Sequence, residues 1–343
     1  MTKLNTNQDR LKSFDALKLL AIFLVIWGHN FKWFLSIDPI EEPLYRYIYS
    51  FHMPLFIMIS GFFSLSSMAS GVKEFLIKKA RRLIYPCIVW GFLLWMVYES
   101  THSFRYGHDI LSFGGLLEDY YWFSDFWFLK SCFTCFCLAF FSRRYFKSHW
   151  ILVSIIASQA ISLFYVSFMY PCFVIGMMLK EKKSLWRSIS SINYWLIILF
   201  VMMLVFWDQD AWRKSHGIPQ NLLLSDLWGI LEIGFFRSYR LLIGIVGALA
   251  FITLFTEIFK RDIHSPLFNL CCEGGKYTLE IYVLHAIVLR IVSPYICLDG
   301  MNFFSLNFVV TPVISILILC FCVAVIKVIE HYSILRKYLW GKN

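Results

Sequence analysis

The chain has 343 residues, 59% of them hydrophobic and only 16% charged, with a mean hydropathy of +0.64. This balance argues against a soluble globular domain, because the apolar residues fall in runs long enough to cross a bilayer. The formal net charge of +10 invites a nucleic-acid reading, but the basic residues are spread between the apolar runs, so membrane lipids are expected as partners and nucleic acid is not.

The polar N-terminus MTKLNTNQDR leads into the apolar run LKSFDALKLLAIFLVIWGHN, residues 11–30. No small-residue cleavage site follows, so the run is expected to be a retained first helix. Lys18 and His29 within it are eleven positions apart, about three helical turns, which puts both on one face with about 16 Å of rise between them. Ionisable groups inside a membrane are costly and usually mark a site or a pathway. A cation at one depth and a potential base further in suit an anionic ligand entering end-on; the alternative is a membrane helix with one snorkelling lysine and one hydrogen-bonded histidine.

The second apolar run carries FHMPLFIMISGFF, residues 51–63. His52 alone reads as structural, and Gly61 as a point of close helix approach. KKARRLIYP, residues 78–86, follows. Its basic residues Lys78, Lys79, Arg81 and Arg82 serve either topology or phosphate binding, since guanidinium groups grip phosphate bidentately. The fourth run opens DFWFLK, residues 125–130. If it starts near Trp122, Lys130 lies about 12 Å into the membrane, and needs either an acidic neighbour or an anionic ligand. Tyr120, Tyr121, Trp122 and Trp127 cluster at a predicted interface, as belt residues do.

A very tight turn near Met169 and Pro171 is expected between the fifth and sixth runs. Late in the chain, GKYTLEIYVLH, residues 275–285, places Thr278, Tyr282 and His285 on one helical face. Glu280 lies off that face and is expected to pair with Lys276. The cysteines, Cys132 and Cys135 of a CxxC included, read as small packed thiols, because no second pair stands at zinc spacing. No metal is expected.

The fold expected is all-α, a polytopic bundle of about ten membrane-spanning helices near 15–35, 44–66, 82–100, 122–142, 149–166, 168–180, 192–208, 238–257, 277–296 and 304–328. With both termini in the cytoplasm, the inner segments collect most of the Lys and Arg residues. The outer ones hold Asp38, Glu41 and Glu42, then Asp109, Glu118 and Asp119, then Asp208 and Asp210. This is the pattern of the positive-inside rule. Two outer segments, about 101–121 and 209–236, are long enough to cover a site.

Taken together, the motifs resemble the acyltransferase family 3 membrane proteins, in the family's order and over most of the chain. They are a basic residue, ten positions and a histidine in the first helix; FHMPLF…SGF; a basic cluster before a proline; WFL; and GK-x-T-LEIY-x-LH. The WFLK and LEIYVLH forms are most similar to the branch around sugar O-acetylases. The resemblance implies transfer of an acyl group, usually acetyl, from cytoplasmic acyl-CoA to a hydroxyl of a cell-envelope glycan or lipid-linked saccharide, at the inner (plasma) membrane of a bacterium.

By the same resemblance, His29 takes the family's functional histidine and Lys18 its functional basic residue, although a lysine there does not offer the two-pronged contact of an arginine. Arg81 and Arg82, with Lys78, correspond to the family's basic pair and would bind CoA. His29 is then the general base. His285 is a second catalytic candidate, and Trp127, Lys130 and Tyr282 are expected to contact the substrate. Some relatives carry a further extracytoplasmic domain, whereas here residues 1–343 are expected to form a single domain. A transporter without acyl chemistry is the rival reading, and dependence on acetyl-CoA separates the two.

Overall fold

A computed structural model describes residues 6–106, 126–161, 163–216, 227–260 and 266–342. No strand occurs among them. Six helices are long and apolar enough to cross a membrane: Lys12–Phe34, Val72–Val97, Leu163–Glu181, Leu231–Ile258, Thr278–Tyr295 and Phe303–His331. A seventh is added if Lys183–Ser191 and Asn193–Val205, bent by 67°, form one broken span.

Helix α1 (Thr6–Phe34) is the axis of the molecule. It packs against α2 (Pro43–Phe62) and against four later helices. Phe14, Leu17, Ala21, Ile22, Val25, Ile26 and Phe31 are all buried. They leave no broad polar stripe, as expected of a helix enclosed on most sides by others. Next come α3 (Val72–Lys79) and α4 (Tyr85–Tyr106), joined without a break by a π-helical turn over Ala80–Ile84. The expected third span, 82–100, is therefore the middle of a longer rod.

The following elements are α5 (Trp127–Phe146), α6 (Trp150–Gln159) and α7 (Val166–Glu181). Two sequence expectations are corrected here. The turn between the fifth and sixth runs lies between α6 and α7 rather than near Met169 and Pro171, which both sit inside α7. It is made by Phe164 and Tyr165, which adopt the left-handed conformation with φ of 54° and 55°. And α6 has 10 residues, about 15 Å of helix, too short to cross a bilayer alone.

Then come α8 (Lys183–Ser191), α9 (Asn193–Val205), α10 (Gln209–His216) and α11 (Leu227–Lys260). The last helices are α12 (Pro266–Gly275), α13 (Thr278–Val292), α14 (Thr311–His331) and α15 (Ser333–Trp340). The four later partners of α1 are α11, α12, α13 and α14.

Helix α2 lies against α7 backbone to backbone. A Cβ on Gly61 would overlap the Phe173 carbonyl, and one on Gly176 the Met58 carbonyl. The close approach expected of Gly61 is therefore present, with Gly176 as its counterpart.

The two ends of the bundle differ in chemistry. At one end, Arg143 and Glu181 form a two-pronged pair at 2.9 and 3.3 Å. There also Lys342 bridges Glu280 and Glu330, and Trp340 stacks on Trp90. At the other end, Arg213 lies 3.8 Å from Asp38, and Asn307 donates to Glu42. Hydrogen bonds from the Ser36 side chain and backbone, then from the Cys297 thiol, hold the Asp299 carboxyl there below its ordinary range.

Candidate functional site

His29 and His285 meet in the bundle. Helix α1 carries His29 and α13 carries His285, and their rings lie 5.2 Å apart between centroids. His285 Nε2 is 3.3 Å from His29 Nδ1, and His285 Nδ1 is 3.1 Å from the Ile281 carbonyl oxygen.

These two contacts assign the protons. A carbonyl only accepts, so His285 Nδ1 carries a hydrogen. In a neutral ring its Nε2 then accepts, and His29 donates from Nδ1. Nε2 of His29 is left as the nitrogen with a lone pair. The arrangement is a base oriented by a second imidazole, which is in turn oriented by a backbone carbonyl.

The face that carries His29 is held in place from behind. Asn30, fully buried, donates to the Thr311 carbonyl at 3.0 Å and to Ser315 Oγ at 2.8 Å. Trp27 Nε1 donates to Thr311 Oγ1 at 2.8 Å. Together these bonds fix the rotation of α1 against α14.

In front of His29 stands Tyr49 of α2, with 6.4 Å between ring centroids. Gly28 makes room for it, since a Cβ there would strike the Tyr49 ring. Tyr49 stacks on Tyr45 at 4.1 Å, both rings touch Trp212, and Trp212 stacks on His216 at 4.4 Å. An aromatic column thus runs from α10 to His29. Burial, and next the charge of Arg240, hold His216 down at about 4, so its imidazole is neutral at neutral pH.

Tyr282 lies beside His285, with 5.7 Å between centroids. The fourth run reaches it through Phe126 and Phe128, at 6.2 and 5.8 Å. Trp127 and Lys130 point elsewhere: Trp127 packs on Tyr165, and the Lys130 ammonium lies 5.2 Å from the Phe164 ring. Lys130 is in the first turn of α5, which starts at Trp127; the start near Trp122, from which its depth was expected, lies outside the described residues.

His52, read as structural in the sequence, is near Tyr49. Its Nδ1 is bonded to the Ile48 carbonyl at 2.7 Å, and its ring meets Tyr49 edge-on.

Lys18 is paired with Asp15 at 2.6 Å. Asp15 also lies against Gly275, where any Cβ would overlap its carbonyl. Lys78, Arg81 and Arg82 are exposed on the rod formed by α3 and α4, the arginines on its π-helical turn, a feature frequent at functional sites. Lys79 turns inward over the Phe136 ring, 3.4 Å from its centroid. The expected pairing of Glu280 with Lys276 is corrected: buried Glu280 binds Lys342 at 2.6 Å, while Lys276 binds Glu273. The ten cysteines are free, Cys132 and Cys135 among the buried ones. No group of three His, Cys, Asp or Glu residues converges on a metal position among the described residues.

Several residues of this region were not singled out in the sequence, among them Tyr45, Tyr49, Trp212, His216, Asn30 and Arg240. Tyr45, Tyr49 and His52 have helical spacings of four and three, a signal that was present. Trp212 and His216 have the same spacing, but in a segment read as an outer loop.

Comparison with known proteins places the chain in a family. The family described as "Acyltransferase domain" matches residues 11–327. The chain is 25% identical over 304 residues to Nodulation protein NolL of Mesorhizobium japonicum, covering 83% of this chain and 78% of that protein. It is 27% identical over 225 residues to Nodulation protein NolL of Sinorhizobium fredii, covering 60% and 59%. No solved structure matches significantly.

Proposed function

The chain belongs to this acyltransferase family and is an acyltransferase, and from that premise we propose that it moves an acetyl group from cytoplasmic acetyl-CoA to a hydroxyl of a cell-envelope glycan or lipid-linked saccharide. The observation that carries this reading is the His29–His285 pair, with His29 Nε2 as its open nitrogen.

In the proposed reaction, His29 Nε2 takes the hydroxyl proton as the acceptor oxygen attacks the thioester carbonyl. The tetrahedral oxyanion is held by a nearby donor, for which Tyr282 beside His285 is the candidate. Collapse breaks the carbon–sulfur bond, the acetyl group stays on the acceptor oxygen, and the CoA thiolate takes the proton back from His29. A transporter reading would need no acetyl-CoA. Membranes containing the protein, incubated with radiolabelled acetyl-CoA and then fractionated into lipids, lipid-linked sugars and polysaccharide, should carry label in a saccharide fraction. Label in none of them would sink the reading.

Acetyl-CoA is proposed to reach the site from the basic end. Arg81 and Arg82 would hold its phosphates, with Lys78 beside them and Lys18 at the same end. Each charge-assisted phosphate contact is worth about 1.5–3 kcal/mol. Neutralising Arg81 and Arg82 together should therefore raise the KM for acetyl-CoA by about tenfold or more, with less effect on kcat. An unchanged KM in a folded variant would leave the cluster a topological role only.

The orientation proposed has both termini in the cytoplasm of the inner membrane, supported by the alternation of basic and acidic segments along the sequence. In a cysteine-depleted background, Leu185→Cys should resist a membrane-impermeant thiol reagent in intact cells. Ready labelling there would reverse the orientation.

A further inference from the structure

A second cluster of cations lies away from the histidine pair. Arg240 of α11 is within the span Leu231–Ile258, about 14 Å along the helix from Leu231. Its guanidinium sits over Phe168 at 4.5 Å and over Tyr165 at 5.8 Å. Lys130 of α5 lies over Phe164. Both cations thus face rings of one short segment, Phe164–Phe168. Its first two residues hold the left-handed conformation, uncommon for aromatic side chains, and this sets the direction of the rings.

Some other cations of the bundle are matched by carboxylates: Lys18 by Asp15, Arg143 by Glu181, Lys214 by Glu232, Lys342 by Glu280 and Glu330. Arg240 has no carboxylate partner and makes no hydrogen bond to protein among the described residues. Ring faces compensate a cation only partly, and an unmatched cation in a span is costly. A guanidinium stacked by its face keeps its edge N–H groups for a planar or tetrahedral oxyanion.

Location narrows the ligand. Tyr165 caps the start of α7, whose far end, Glu181, is at the basic end with Arg143. Arg240 is therefore at the opposite end, the end where the aromatic column of His216, Trp212 and Tyr49 leads to His29. CoA phosphates from the basic end are on the wrong side for it. The rings under Arg240, Tyr165 and Phe168, stand at the start of the span Leu163–Glu181, so an oxyanion held there is near the depth of a lipid phosphate.

We propose that Arg240, held over the rings of Tyr165 and Phe168, binds the phosphate of a lipid-linked saccharide and so presents the sugar hydroxyl to the histidine site. This assignment of acceptor class rests on the acyl-transfer reading above. The phosphate could also come from an ordinary phospholipid, and the test separates the two sources.

The full chain, purified in detergent, is tested for binding of a short polyprenyl pyrophosphate-linked saccharide, of the same saccharide on the polyprenyl alcohol, and of phosphatidylglycerol as competitor. The wild type should bind the pyrophosphate probe about tenfold or more tighter than the alcohol probe. Arg240→Gln should erase that preference, Arg240→Lys should keep part of it, and the KM for acetyl-CoA should not move. If Arg240→Gln does not fold, the wild-type preference and the Arg240→Lys variant decide. Equal binding of both probes by the wild type, or a full preference retained in Arg240→Gln, overturns the proposal. Phosphatidylglycerol competing as well as the saccharide probe also overturns it, in favour of a bound membrane lipid. A phosphate preference that persists in a wild-type protein with no acetyl-CoA-dependent transfer overturns the acyl-transfer reading instead and leaves the phosphate site.

Discussion

His29→Ala should lower acyl transfer by about 10²–10⁴-fold, the range a positioned general base contributes, in a protein that still inserts and binds acetyl-CoA. The fold should survive because α1 is held by Phe14, Leu17, Ile22, Ile26 and Phe31 in the core and by the Asn30 and Trp27 bonds to α14. None of these needs the imidazole. His29→Gln is the sharper variant. A glutamine can donate to His285 Nε2 from its amide nitrogen, so the contact on that side can be kept. Its oxygen can accept a hydrogen bond but cannot take up a proton at neutral pH. The expected outcome is that His29→Gln is nearly as inactive as His29→Ala, measured as kcat at saturating acetyl-CoA. Near-normal turnover in His29→Gln would make His29 an orienting group and move the base to His285. Full activity in both variants would remove the mechanism and reopen the transporter reading.

What could be read in the sequence was the identity of faces; what could not was which faces meet. Periodicity put Lys18 and His29 on one side of α1 and Tyr282 and His285 on one side of α13. That the two histidines touch joins positions 256 apart in the chain, and helical spacing carries no information on such a contact. Glu280 shows the same limit. Lys276 was the near neighbour in sequence, yet the carboxylate binds Lys342, brought to it where the last residues pack against α4 and α13. Trp127 stood next to the site residues in the WFLK motif, but a helix sends consecutive side chains to different sides. Phe126 and Phe128 face Tyr282, and Trp127 faces Tyr165. The turn between α6 and α7 was hidden because Phe164 and Tyr165, two aromatics, adopt its left-handed conformation where glycine or asparagine is usual, and Pro171 nearby drew the boundary to itself.

His285→Ala should cost about 10²-fold in kcat with little change in the KM for acetyl-CoA, because His285 acts through His29. Removing it takes away the acceptor of the His29 Nδ1–H bond. The His29 ring can then turn, and the hydrogen can move to Nε2, the nitrogen that must accept the acceptor's proton. It also removes the group that stabilises the imidazolium formed as that proton arrives. Donor-held positioning losses of this kind are commonly 10–100-fold. A purely structural role predicts a different pattern: lower thermal stability, with activity restored wherever folding is restored. His285→Gln separates the two roles. Its amide NH₂ can donate to the Ile281 carbonyl and its oxygen can accept from His29 Nδ1–H, so it preserves the polarity of the chain of bonds without an ionisable ring. Recovery of at least tenfold in kcat over His285→Ala, at equal thermal stability, is the expected result. A His285→Gln protein as inactive as His285→Ala would mean that His285 itself must exchange a proton during transfer. The pair would then work as two coupled bases rather than as a base and the residue that orients it.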